Sequence, residues 1–176
     1  MASVVLGVFS ERDKAEDAIA ELEAKDFNPK DMSIMMKDTG EAHSLAEDKG
    51  GEVIVATLGG ATTGAVIGGI AGLVASFAIP GLGVLFIGGP IAAALGLTGA
   101  AATTASGAAT GALAGGLLGA LGSTFGLTNE EARVYEKRIN DGGILVAVPT
   151  PEGEEEKARK IMSAFEADNL KVVKTS

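Results

Sequence analysis

Between Glu52 and Glu130 the chain carries no charged side chain. This stretch, residues 53–129, is written almost wholly in Gly, Ala, Leu, Ile, Val and Thr, with Pro80 and Pro90 near its middle. Two runs place glycine at every fourth position: Gly60, Gly64, Gly68 and Gly72, then Gly107, Gly111, Gly115 and Gly119. On an α-helix that spacing lines the glycines along one face, where the missing side chains let another backbone come close. Pro80-Gly81-Leu82-Gly83 and Gly88-Gly89-Pro90 interrupt the stretch. The pattern therefore predicts a helical hairpin with a first leg over 53–79 and a second over 91–125, the second bending near 103–107.

All of the formal net charge of −9 falls outside this stretch. An acidic chain without a basic stripe has nothing with which to displace counterions from phosphates, which argues against nucleic acid. It equally lacks a polybasic patch for anionic lipid. There is no cysteine, so disulfides, thiolate metal sites and cysteine nucleophiles fall away. Residues 4–9, Val-Val-Leu-Gly-Val-Phe, meet charge at Glu11 and Arg12. They are too short for the apolar core of a signal peptide and read as a strand, and the polar parts are expected in the cytoplasm.

The flanks repeat one pattern. After the 4–9 strand, Ser10 and Asp13 stand at capping-box spacing. A helix follows with Ala15, Ala18, Ile19 and Leu22 on one face and Glu16, Asp17, Glu21 and Glu23 elsewhere. Asn28-Pro29 ends it, and 32–36 reads as a second strand. On the far side, Thr128-Asn129-Glu130-Glu131 opens a helix to about Asn140 with Ala132, Tyr135 and Ile139 buried, and Asn140-Asp141-Gly142-Gly143 stops it. A strand over 144–148 follows, ended by Pro149-Thr150-Pro151. A helix from about Glu152 turns Ala158, Ile161, Met162 and Phe165 inward, and a strand over 170–173 closes the chain. Two strand–helix–strand halves in one four-stranded sheet, with helices on one face, make a ferredoxin-like α+β plan. Right-handed crossovers then bring the first and third strands to its centre.

The expected division is 1–37 as the first half of this domain, 38–52 as a linker, 53–127 as the apolar hairpin and 128–176 as the second half. A monomer cannot hide 53–127 behind a small sheet, so lipid or other copies of the chain must cover it. The favoured reading is a homo-oligomer that also enters the inner membrane, since about 20 apolar helical residues span a bilayer core. Thr62, Thr63, Thr103, Thr104 and Ser106 would hydrogen-bond across the close helix contacts. The alternatives are a soluble oligomer with the hairpins as its buried core, or a module for an apolar ligand such as a lipid or quinone.

Catalytic chemistry is hard to find. No lysine follows a glycine between Gly51 and Thr128, so no phosphate-binding loop of the Gly-Lys-Ser/Thr type exists there. Gly81-Leu82-Gly83 lacks the third glycine of a dinucleotide fingerprint. One histidine, His43 in the polar linker, cannot build a triad or a transition-metal cluster alone. Glu130, Glu131, Glu152 and Glu154 to Glu156 sit in first helical turns, where they favour the helix dipole. No catalytic residue, metal or cofactor is expected, and an enzyme is not.

Several runs are nevertheless distinctive together: Val4 to Phe9 with the acidic helix behind it, Asp31-Met32-Ser33-Ile34, and Ala78-Ile79-Pro80-Gly81-Leu82-Gly83. To these add Glu130-Glu131-Ala132-Arg133-Val134-Tyr135-Glu136 and Gly142-Gly143-Ile144-Leu145-Val146. With them the chain resembles the heat-induced and general stress proteins of bacteria along nearly its whole length. The resemblance implies a stress-linked, membrane-associated protein without enzymatic activity and without catalytic residues to carry over.

Overall fold

Ser3 to Phe9 is apolar at almost every position rather than at alternate ones, and a strand of that kind needs cover on both faces. The computed structural model, which describes residues 3–37, 74–79, 83–88 and 116–174, provides it. The strand β1 (Ser3–Phe9) is buried along its whole length. Val4, Leu6 and Val8 enter one core cluster, and Val5 and Phe9 enter another on the opposite face.

The other described elements are helix α1 (Arg12–Ala24), a 3-10 turn (Pro29–Asp31), β2 (Ser33–Lys37), β3 (Val74–Ile79) and β4 (Gly83–Gly88). After these come α2 (Gly116–Phe125), α3 (Asn129–Asn140), β5 (Ile144–Thr150), α4 (Glu155–Ala164) and β6 (Asp168–Lys174). The six strands form one sheet in the order β3-β4-β2-β5-β1-β6, and every neighbouring pair is antiparallel. Within the four flank strands, β5 and β1 lie inside. Helices α1 and α4 cover one face, where Ala15, Ala18, Ile19, Leu22, Ala158 and Met162 meet Val5, Phe9, Ile34, Val146 and Val148. On the other face Leu121, Phe125, Leu127, Ala132, Tyr135 and Ile139 meet Val4, Leu6, Val8, Met35, Leu85, Ile87, Leu145 and Ala147. Gly7 lets α4 approach β1, because a Cβ there would stand 2.8 Å from the Met162 side chain and 2.9 Å from Leu170.

The structure departs from the expected helical hairpin at its first leg. Residues 74–79, assigned to the first leg, are strand β3, paired residue by residue with β4. A run that is apolar throughout has no period with which to tell helix from buried strand. Here the β-branched and aromatic content and the Pro80-Gly81 punctuation go with the strand hairpin. Docking β4 on β2 satisfies its backbone groups in the sheet. The end of the second leg is the helix α2. Its Leu121, with Phe125 and Leu127 just beyond, lies in the core of the domain.

Helices therefore cover both faces of the sheet, not one. Glu16 does not lie on the outer side of α1: it is 2% exposed, with Arg12 Nε donating to its Oε1 at 2.8 Å. Ser10 does not cap α1, whose N-cap is Glu11 without a side-chain bond. Pro149 does not end β5, which runs to Thr150. Beyond Ala147, β5 pairs with β1 alone, and a strand that is an edge on one side tolerates proline.

The 38–52 linker with His43, the glycines Gly60, Gly64, Gly68, Gly72, Gly107, Gly111 and Gly115, and the threonines Thr62, Thr63, Thr103 and Thr104 lie outside the described residues. Gly119 is described; it sits on α2, half-buried.

Candidate functional site

A series of polar contacts ties α3 to the edge strand β6. Thr128 starts the helix with a reciprocal capping box: the Glu131 N–H donates to Thr128 Oγ1 at 3.3 Å, and the Thr128 N–H donates to Glu131 Oε2 at 3.0 Å. The remaining oxygen of that carboxylate, Oε1, accepts from Lys171 Nζ of β6. Lys171 first, and the Thr128 N–H second, hold the Glu131 carboxyl down to about 2.

One turn on, the Tyr135 hydroxyl donates to the Asn169 carbonyl at 2.7 Å. Burial, and then the negative charge of Glu131, push the Tyr135 phenol up to about 12. A further turn on, Arg138 Nε donates to Asn169 Oδ1 at 3.2 Å, and its Nη2 pairs with Asp168. Positions 131, 135 and 138 make one stripe of an α-helix, and it reads down β6 as 171, 169 and 168. Asn169 takes a left-handed conformation, φ 52°, which an asparagine tolerates better than most residues. Just past the helix C-cap Asp141 stands Gly142, whose φ of 96° is open to glycine at little cost.

Between these residues lies a cleft of about 460 Å³ lined by Val134, Lys137, Arg138, Asp168 and Asn169. Val134, 45% exposed, is its apolar floor. Lys137 Nζ is 3.0 Å from Asp141 Oδ2 and Arg138 is engaged by Asp168, so the cleft's cations are already paired. An open cleft with paired charges suits a tie between helix and strand better than an enclosed small molecule. Away from it, buried Ser3 donates through Oγ to Glu155 Oε1 at 2.8 Å, and Thr150 Oγ1 donates to the Ser3 carbonyl at 3.1 Å. That cluster fastens α4 to the end of the sheet. Among the described residues no group of three or more His, Cys, Asp or Glu side chains is placed to hold a metal ion.

Tyr135 is legible in the sequence as a buried position, but the ladder it belongs to is not. The 131/135/138 spacing was the available signal, but its partners lie in a strand whose register the sequence does not disclose.

The ladder has a direct spectroscopic test, since Tyr135 is the single tyrosine and there is no tryptophan. Titrating the folded protein and following phenolate absorbance should give a midpoint near 12 rather than the ordinary 10.0. A phenol whose folded pKa is raised contributes stability that is fully present below about pH 10 and lost as pH rises through about 12. A midpoint near the ordinary value, with the protein still folded, would contradict the buried, hydrogen-bonded placement.

Residues 4–82 match the family model of the heat induced stress protein YflT domain. The matched part includes β1, α1, β2 and β3. The match takes in less than half of the chain, and over that part the chain is similar to heat-induced stress proteins. No curated protein and no solved structure matches the chain.

Proposed function

We propose that this is a stress-associated, non-enzymatic structural protein that assembles with copies of itself through its uncharged segments and brings them to the inner membrane. In this reading the strands β6-β1-β5-β2 with α1 and α4 are a ferredoxin-like unit, and the β3–β4 hairpin extends its sheet. One observation carries the reading: Val74 is the pairing partner of Gly88. The uncharged segments 53–73 and 89–115 therefore attach to adjacent strands at one end of the sheet, roughly 5 Å apart. Two legs rooted side by side, each with glycine at every fourth residue, are suited to close helix-on-helix packing. The paired charges of the α3–β6 cleft support a role without chemistry.

A soluble assembly is the second reading. It is favoured by Leu121, Phe125 and Leu127, which the domain itself buries, so less apolar surface is left for lipid to cover. No described helix is long and apolar enough to cross a membrane.

Fractionation of cells followed by alkaline extraction separates the two readings. Protein retained with the membrane after extraction supports lipid cover, and release as a multimer supports the soluble assembly. A released, monomeric and lipid-free protein would overturn both.

A further inference from the structure

The sheet has two ends, and they differ in chemistry. Edge strand β6 carries Asp168, Lys171 and Lys174, a left-handed Asn169 and a register shift against β1 between Leu6 and Val8. Charges and irregular register are what natural edges use to refuse another strand. Its charges are also engaged by α3 through the Glu131–Lys171 and Arg138–Asp168 pairs.

The strand at the other end, β3, reads Val-Ala-Ser-Phe-Ala-Ile. It has no charge, no proline and no glycine, and its register with β4 runs without a break from Val74↔Gly88 to Ile79↔Gly83. Among the described residues its neighbour is β4 alone. A regular, uncharged edge offers a row of backbone donors and acceptors to any strand that can approach it.

We infer that the β3 edge is the site where a second copy of this chain adds its own β3, joining two six-stranded sheets into one. This rests on the self-assembly reading above and names the surface at which it begins. The occupant follows from charge. Each copy carries a net −9, all of it outside residues 53–129. A partner strand must therefore approach an acidic protein without adding like charge at the contact. Another β3 meets that condition, and it matches the first in length and regularity. A two-fold axis perpendicular to the sheet makes the pairing antiparallel and keeps each face on its own side. Residues of equal parity then meet: either Ser76 lies opposite Ser76, or Phe77 lies opposite Phe77 with Ser76 opposite Ala78.

The chain has no cysteine, so disulfide trapping is free of background. Ser76→Cys alone reads the first register, and Ser76→Cys with Ala78→Cys reads the second. Directly opposed positions of an antiparallel pair fall within disulfide reach. Under mild oxidation of the full-length protein, one of these variants should become mostly a covalent dimer. Val172→Cys, on the exposed part of β6, should stay a single chain. Ser76→Lys should lower the native mass by bringing two cations together at the seam, directly opposed in the first register and diagonal in the second, with the Tyr135 titration showing that the domain still folds. If neither trapping variant links more than Val172→Cys while the unmodified chain remains a multimer, the β3 edge is overturned and self-assembly stands. If the unmodified chain is a monomer, both fall.

Discussion

Leu121→Ala is expected to lower the unfolding free energy of the domain by about 2–5 kcal/mol, the usual range for truncating a fully buried leucine. Leu121 is 0% exposed, in the cluster that holds Leu6, Leu145 and Tyr135. Its removal leaves a cavity between α2 and the sheet, and the helix can close over it only in part. Phe125, 6% exposed at the end of the same helix, should behave alike when cut to alanine, at about 3–5 kcal/mol. Urea unfolding followed by the emission of Tyr135 reports both losses from inside the affected cluster. The midpoint should fall with the denaturant slope unchanged, since the same surface is exposed on unfolding. An unchanged midpoint in both variants would mean that 116–127 is not part of the domain and serves only the uncharged segments.

Leu121 lies in the uncharged part of the chain, where sequence pattern says least about structure. Where charge alternates with apolar residues, the sequence was explicit. Thr128 and Glu131 announced the start of α3 and do form the reciprocal cap. Ala15, Ala18, Ile19 and Leu22 announced the buried face of α1. Where charge disappears, periodicity disappears with it. Helix and buried strand then write the same letters, and 74–79, expected as helix, is a strand. Cover on both faces of the sheet was legible in principle, because Val4 to Phe9 does not alternate, and a one-faced sheet would expose half of that run. The buried Glu16 was not, since a carboxylate on a helix reads as solvated until Arg12, one turn earlier, is seen to fold over it.

The site divides in the same way. The members of the ladder on α3 share one helical stripe and could be picked out together. Lys171, Asn169 and Asp168 belong to a strand assigned too short, beginning at 170. These residues hold the helix by its cap, its tyrosine and its arginine.

The second large effect concerns the uncharged segments themselves. Gly64→Leu and Gly111→Leu each add a branched side chain in the middle of a four-spaced glycine run. If those runs are close-packing faces, a leucine there holds the backbones apart and the assembly loosens. If general hydrophobicity drives association instead, leucine buries more apolar surface than glycine and the assembly tightens. The two mechanisms give opposite signs. Tyr135 titration and urea unfolding in each variant establish that the α/β domain is intact.

The decisive measurement is the native mass of the full-length chain beside Gly64→Leu and Gly111→Leu, in buffer and in mild detergent. Self-assembly through the glycine runs requires a multimer for the unmodified chain and a clear drop in mass for both variants. A monomeric unmodified chain, or variants that keep or increase its mass, would contradict it.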